Sequence, residues 1–367
     1  MADMLTPKEL KELREELIST KKLMIFFDGD ADGCSSFLLY YRFAKEYVED
    51  IKGVLVSPSE LKDEVFIDMA KNYDPDKIFV LDKPLMSQDF IDAVKKPIFW
   101  LDHHPLQKRS GVKYYNPLKK SSKKFDNGGP DSRPTTYWAY KTIEKDRPQD
   151  LWIAMAGTVS DWHVPEFTKQ FSELYPDLVP KKLKIKSPGD LLYKTRLGTL
   201  SRIINFVLKF PTQDTMTCVK ILTRINDPYE ILDQTTSQGK YIYKQYLKVN
   251  QYYEAIRSQI KPTKEKLLTV VYEGNYSIGA DLSTDIKYHN PKKVVLIAKI
   301  KNGYYVCSFR AEIYDIRSIL EKALVGIDGH GGGHVRACGG AVKVEDWEKF
   351  LSQFKAELKK AKTIKPM

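Results

Sequence analysis

The chain has 367 residues, 42% of them hydrophobic, and its 59 Lys and Arg against 48 Asp and Glu leave a net charge of +11. That is enough apolar material for more than one core, and no apolar run approaches the ~20 residues of a membrane-spanning helix. Four scattered cysteines, Cys34, Cys218, Cys307 and Cys338, form no CxxC pair, which argues against a disulfide framework or zinc ribbon and suits a reducing cytoplasm.

The start, MADMLTPKELKELREEL, reads as a charged helix rather than a secretory leader, with Thr6-Pro7-Lys8-Glu9 in the form of a capping box. Short apolar runs then alternate with amphipathic segments. Strands are expected at 22–27, 54–56, 77–81, 97–101 and 112–115, and helices between them, including 34–48 and 60–71. This alternation predicts an α/β fold with a mostly parallel, doubly wound sheet, and such sheets bind ligands beyond the carboxyl ends of their strands. Residues 117–134 (PLKKSSKKFDNGGPDSRP) read as a polar loop, and 136–145 and 151–159 as helices. A helical region to 262 closes on a helix at 240–260. Its Ile242, Tyr246, Val249, Tyr253, Ile256 and Ile260, at alternating spacings of four and three, form a core-facing stripe rather than a base-stacking ladder.

Pro262 stops that helix, and a smaller α/β unit follows. A strand at 267–272, a helix at 279–288, strands at 293–299 and 304–310 around Asn302-Gly303, and a helix at 316–324 lead to a glycine cluster, expected as a loop, and a last helix at 344–360. The expected domains are 1–235, a connecting helix at 236–262, and 263–367.

The stretch Leu23-Met24-Ile25-Phe26-Phe27-Asp28-Gly29-Asp30-Ala31-Asp32-Gly33 runs an apolar strand into three carboxylates at alternate positions. The run 78–81 ends in Asp82, and 98–101 ends in Asp102-His103-His104. In a parallel sheet these acids converge. Two like charges 4 Å apart repel by roughly 4 kcal/mol at an effective dielectric near 20, so the cluster needs protons or cations. Carboxylates with one or two imidazoles suit Mn²⁺, Mg²⁺ or Zn²⁺. Asp28, Asp30 and Asp32 either share one strand face or fan around a metal pair, with Gly29 and Gly33 allowing the turn and the close approach of a ligand. A calcium loop is ruled out because the twelfth position counted from Asp28 is Leu39 rather than glutamate. Asp161, in Ala156-Gly157-Thr158-Val159-Ser160-Asp161, is a fourth acid, and His163 reads as an exposed loop histidine.

Together these motifs resemble those of DHH superfamily phosphoesterases of the RecJ-like and nanoRNase-like kind. Asp30, Asp32 and Gly33 match the first motif, Asp82 the second, Asp102-His103-His104 the third, and Gly157-Thr158-Val159-Ser160-Asp161 the fourth. Cys307-Ser308-Phe309-Arg310 and Gly331-Gly332-Gly333-His334-Val335-Arg336-Ala337-Cys338-Gly339 resemble motifs of the DHH-associated domain. Two departures stand out. Asp28 occupies the place of the family's metal-binding histidine, and Lys83-Pro84 follows Asp82 where a small or polar pair is usual.

The resemblance implies two Mn²⁺ or Mg²⁺ ions bridged by Asp82, with Asp28 and Asp30 completing one position and Asp32, His103 and Asp161 the other. Asp102 would be a ligand or the orienter of a histidine, and His104 would contact phosphate or assist the leaving group. Ser308, Arg310, Gly331, Gly332, Gly333 and His334 would bind substrate, the glycine loop through bare N–H groups. The implied activity is a metal-dependent, cytoplasmic exonuclease or oligonucleotide hydrolase that releases nucleoside monophosphates from single-stranded RNA or DNA. Its strand would lie in a cleft between the domains, guided by Lys119, Lys120, Lys123 and Lys124. The implied partners are single-stranded nucleic acid or short oligonucleotides, with a second copy of the chain or a replication or repair factor, and no membrane. Two rivals stand beside this reading: a hydrolase of cyclic dinucleotides or small phosphorylated nucleotides, and a non-catalytic replication-associated module of the same fold, to which Asp28 points.

Overall fold

A computed structural model of the chain describes residues 5–56, 60–120, 131, 133–261 and 263–365, which fall into two units, Met1–Tyr246 and Leu247–Met367. The Thr6 hydroxyl accepts the Glu9 N–H at 3.3 Å and the Glu9 carboxylate accepts the Thr6 N–H at 2.7 Å, so the capping box starts helix α1 (Pro7–Ile18) as its sequence predicts.

Five strands form the sheet of the first unit: β1 (Lys22–Asp28), β2 (Asp50–Val56), β3 (Lys77–Leu81), β4 (Ile98–Leu101) and β5 (Lys113–Tyr115). They lie in the order β2-β1-β3-β4-β5, and every pairing is parallel. The apolar runs are buried on both faces. Met24, Phe26, Ile78, Val80, Ile98 and Trp100 pack against helices α3 (Glu64–Tyr73) and α4 (Gln88–Val94). Phe27 and Phe79 turn the other way, onto Phe37 and Tyr40 of α2 (Ala31–Ala44). The chain leaves β1 toward β2 and then returns past β1 to β3. The β1/β3 boundary is therefore a topological switch point, where a crevice opens at the carboxyl ends.

Helix α2 begins at Ala31 rather than at 34, because Asp30 is its N-cap and accepts the Gly33 N–H at 2.9 Å. The segment expected as a helix from 60 divides: Glu60–Leu61 pairs with Leu85–Met86 as a two-stranded ribbon, and helix starts only at Glu64. Helices α5 (Thr135–Ile143) and α6 (Leu151–Ser160) pack on α2. A Cβ on Gly157 would lie 2.5 Å from both Ser35 Cβ and Thr136 Oγ1, so the glycine sets how closely these three helices approach. The helix Ser237–Ser258 buries Ile242, Tyr246, Val249, Tyr253 and Ile256 of the expected stripe, while Ile260 lies past its end and is half-buried. Position 262, read as its stop, lies outside the described residues.

The second unit holds a mixed sheet of β6 (Leu267–Tyr272), β7 (Val294–Lys301), β8 (Tyr304–Ala311), β9 (Gly329–His334) and β10 (Ala337–Lys343), in the order β9-β10-β8-β7-β6. Only β6–β7 is parallel. The glycine cluster is thus an edge strand and not a loop, because its backbone groups pair along β10. Phe309, Trp347, Phe350 and Phe354 anchor the core under the sheet. The last helix runs Trp347–Lys360 after a 3₁₀ turn at Val344–Asp346. All four cysteines are buried and none forms a disulfide, and among the described residues no helix is long and apolar enough to cross a membrane.

Candidate metal centre

The acids at the strand ends meet at the switch point. Asp28 closes β1, Asp30 caps α2, and Asp32 lies in the first turn of that helix, so the three fan out rather than line one strand face. Gly33 serves packing rather than ligand approach: a Cβ there would lie 2.7 to 2.9 Å from the Asp28 backbone. Asp32 turns toward α5, whose Thr135 and Thr136 N–H groups donate to its two oxygens at 2.9 and 2.7 Å. Both Asp32 and Asp82 are buried. Asp82 takes a left-handed backbone (φ 60°), an uncommon and costly state for a residue with a Cβ, and accepts the Thr135 hydroxyl at 2.9 Å. Asp161 is the C-cap residue of α6, and Trp162 after it is also left-handed (φ 61°).

His103 ties these groups together. Its Nε2 lies 3.5 Å from a carboxylate oxygen of Asp82, 3.5 Å from one of Asp161 and 3.7 Å from one of Asp32. Atoms bound to one ion by ~2.1 Å bonds lie about 3.0 Å apart at an octahedral right angle and about 3.4 Å apart at a tetrahedral one, so small shifts of these side chains bring them onto a shared cation. Among the described residues, three sets of donors come close enough to share an ion: Asp32, His103 and Asp161; Asp28, Asp30 and Asp82; and Asp82, His103 and His104. Hard oxygen and imidazole donors of this kind suit Mn²⁺ or Mg²⁺.

Without cations the cluster holds protons. Burial pushes the Asp82 carboxyl well above its usual range, and the charges of Asp32, Asp30, Asp28 and Asp161 push it further. Asp161 rises to about 7, mainly through burial; His103 opposes the rise and Asp32 and Asp30 add to it. Asp102 is fully buried and faces His104, to whose Nδ1 its Oδ1 lies at 2.8 Å. Its other oxygen accepts from the Tyr114 hydroxyl at 2.9 Å and from Asn116 Nδ2 at 3.3 Å. Burial disfavours the His104 imidazolium, but the hydrogen bond and charge of Asp102 outweigh it and raise the ring to about 9.

The sequence motifs do not include Thr135, Thr136, Tyr114 or Asn116: Thr135 and Thr136 hold Asp32 and Asp82 from a helix remote in sequence, and Tyr114 and Asn116 hold Asp102 from the adjoining strand end. Helix-starting Pro134-Thr135-Thr136 is the one local signal that could have pointed to such a cradle. His163 is half-buried rather than exposed and lies outside the three donor sets. Its ring sits edge-on to Tyr137 at 6.0 Å, and burial with nearby Arg133 pushes it down to about 4. The ammonium of Lys119 folds back onto the Tyr114 carbonyl, while Lys123 and Lys124 lie outside the described residues. The same holds for the Lys120 side chain.

The second unit gathers its own set. Ser308 pairs across to Gly339 and then Gly332, and Arg310 to Ala337 and then His334, so Ser308, Arg310, Gly332 and His334 share one face of the sheet. Gly331 and Gly333 point to the opposite face, where a Cβ on Gly331 would lie 2.9 Å from Leu320. Around Gly332 there is open space. Arg310 is held by the Thr284 hydroxyl at 3.3 Å and the Phe309 carbonyl at 2.9 Å. Burial lowers the pKa of neighbouring Lys287; Glu312 opposes that, and Arg310 and Arg336 add to it, which marks an electropositive corner.

Residues 267–360 match the DHHA1 domain. The fold as a whole is similar to RecJ from Thermus thermophilus in complex with Mn²⁺, with a TM-score of 0.68 and 14% identity over 99% of this chain and 56% of that one. The chain thus spans little more than half the length of that protein. It is similar over 95% of its length, and 93% of the other's, to an exonuclease RecJ bound to manganese (TM-score 0.60, 14% identity). CDC45 from Entamoeba histolytica shares the fold at a TM-score of 0.52 and 9% identity, over 96% of this chain and 99% of that one. No curated protein matches the chain in sequence. At such identities the likeness is one of fold.

Proposed function

From a chain that carries the RecJ-like DHH fold and ends in a DHHA1 domain, we propose a metal-dependent phosphodiesterase that hydrolyses single-stranded RNA or DNA, or short oligonucleotides, to nucleoside monophosphates. The observation that carries this reading is the approach of Asp32, Asp82 and Asp161, from three separate elements, to within 3.5 to 3.7 Å of one imidazole nitrogen of His103. A structural role alone gives no reason to bring so many acids together.

In this reading Asp32, His103 and Asp161 hold one ion, Asp28 and Asp30 form a second position, and Asp82 borders both. Divalent ions bound there supply Lewis acidity toward phosphate oxygens and make water a nucleophile near neutral pH. Thr135 and the N–H groups of Thr135 and Thr136 keep the ligand carboxylates in place. Asp102, braced by Tyr114 and Asn116, orients His104 and favours its protonated form, suited to contact a phosphate oxygen or to give a proton to the leaving oxygen. In the second unit Ser308, Arg310 and His334 would grip a phosphate beside the bare backbone of Gly332, and the excess of positive charge favours a polyanionic substrate.

The rival module reading draws on the CDC45 fold and on Asp28, but every other motif acid and both histidines are present here. The test is Mn²⁺-dependent cleavage of 5′- and 3′-labelled RNA and DNA oligonucleotides, dinucleotides and cyclic dinucleotides, with Asp82→Ala as the control. We expect cleavage by the wild type and none by the variant. Equal cleavage by both refutes the site, and no cleavage of any substrate by the wild type favours the module.

A further inference from the structure

The two departures from the family pattern touch each other. Lys83 is fully enclosed, and its ammonium donates to Asp28 Oδ1 at 2.5 Å and to the Val56 carbonyl at 3.2 Å. Its backbone carbonyl accepts the Trp100 indole N–H at 3.0 Å, so the residue is held at its backbone as well as at its ammonium. From the end of β3 it reaches the end of β1 and then that of β2. A buried ammonium persists only with a partner of opposite charge, and Asp28 is that partner. Replacing a neutral imidazole by aspartate adds one negative charge to the cluster; Lys83 adds one positive charge and restores the balance.

We infer that Lys83 is a resident cation of the carboxylate cluster, which makes the two ion positions unequal: the one around Asp32, His103 and Asp161 fills first, and the one around Asp28 and Asp30 binds weakly. This rests on the metal-dependent reading for the existence of the site and adds the order of filling. The geometry differs between the two positions in the required sense. Asp28 spends one oxygen on an ammonium, and that charge repels a divalent ion drawn to the same carboxylate at short range in a poorly screened interior. Asp32, by contrast, is faced by two backbone N–H groups and by His103, a neutral ligand once deprotonated. The pair also fixes the rotamer of Asp28, so any ion there must share a carboxylate whose orientation Lys83 sets.

The experiment is calorimetric titration of the metal-free full chain with MnCl₂ at pH 8, without substrate, for the wild type, Lys83→Met, and the double variant Asp28→His with Lys83→Met. The wild type should take one ion, or two whose dissociation constants differ by about 100-fold or more, and both variants should tighten the weaker ion by about tenfold or more while the stronger moves by less than about threefold. Thermal unfolding checks that the variants are folded, and the wild-type titration alone decides whether the positions differ. Two wild-type ions of similar affinity, or an unchanged weaker constant in both folded variants, overturn the inference. Unequal binding by a chain that cleaves nothing would sink the phosphodiesterase reading and leave this one standing. No binding at all would sink both.

Discussion

The N–H of Thr136 donates to one oxygen of Asp32 at 2.7 Å, joining two residues that are 104 positions apart in the chain. The amino end of α5 thus holds a carboxylate carried by α2, and the partial positive charge of that helix end offsets part of the acid's burial. The same turn supplies the Thr135 hydroxyl to Asp82.

That hydroxyl can be removed without changing the shape of the helix. Thr135→Val should weaken Mn²⁺ binding by about tenfold and cost about 1–3 kcal/mol of stability, because the buried Asp82 loses its hydroxyl donor while the N–H bonds to Asp32 remain. Calorimetry and urea unfolding measure the two effects. An unchanged affinity would show that Asp82 needs no such anchor.

Asp102→Asn keeps the volume and removes the charge facing His104. Cleavage should fall by about 100-fold, whereas Mn²⁺ affinity should change by less than about tenfold. The His104 ring should titrate well below about 9 in the variant, which NMR of the imidazole follows. Equal losses in cleavage and in binding would make Asp102 a metal ligand instead.

Gly157→Ala tests the packing beneath the site. The added Cβ would meet Ser35 and Thr136 at 2.5 Å, inside three packed helices with little room to shift. A loss of about 1–3 kcal/mol is expected in urea unfolding, together with weaker Mn²⁺ binding because Thr136 carries the N–H that holds Asp32. A stable variant with unchanged affinity would mean that these helices give way easily.

The metal-free cluster predicts a pH effect of definite sign. Asp161 has a pKa of about 7 in the folded chain, against about 3.9 for an unfolded aspartate. Between those values the folded state binds a proton that the unfolded state does not. Stability from this group is therefore complete below about pH 4 and is lost as pH rises through about 7. Mn²⁺ needs the deprotonated form, so its stabilising effect grows over the same range and binding releases protons. The gain in melting temperature on adding Mn²⁺ should be larger at pH 8 than at pH 5.5. An equal or reversed difference would refute this account.

Much of this protein could be read along the chain. Residues 77–81 and 267–272 become strands with the expected bounds, because each run is too short for a helix of ordinary length and is rich in β-branched and aromatic side chains. The acids at 28, 30, 32, 82, 102 and 161 announce themselves by standing just past apolar segments. The glycine cluster misled, since repeated glycine reads as a flexible loop and the pairing with β10 that makes it a strand is non-local. The start of α2 is hidden for a related reason: Asp30, which the sequence offers as a ligand, is also the cap of the helix.

Local pattern therefore determined which segments are strands and which acids stand at their ends, because periodicity and capping act within a few residues. Tertiary structure alone decided that Lys83 meets Asp28, that Thr136 meets Asp32, and that Ser308 shares a face with Gly332 and not with Gly331. Each of those facts depends on strand order and register. Neither is written in any single segment, because both follow from how separate segments bury their apolar faces against one another.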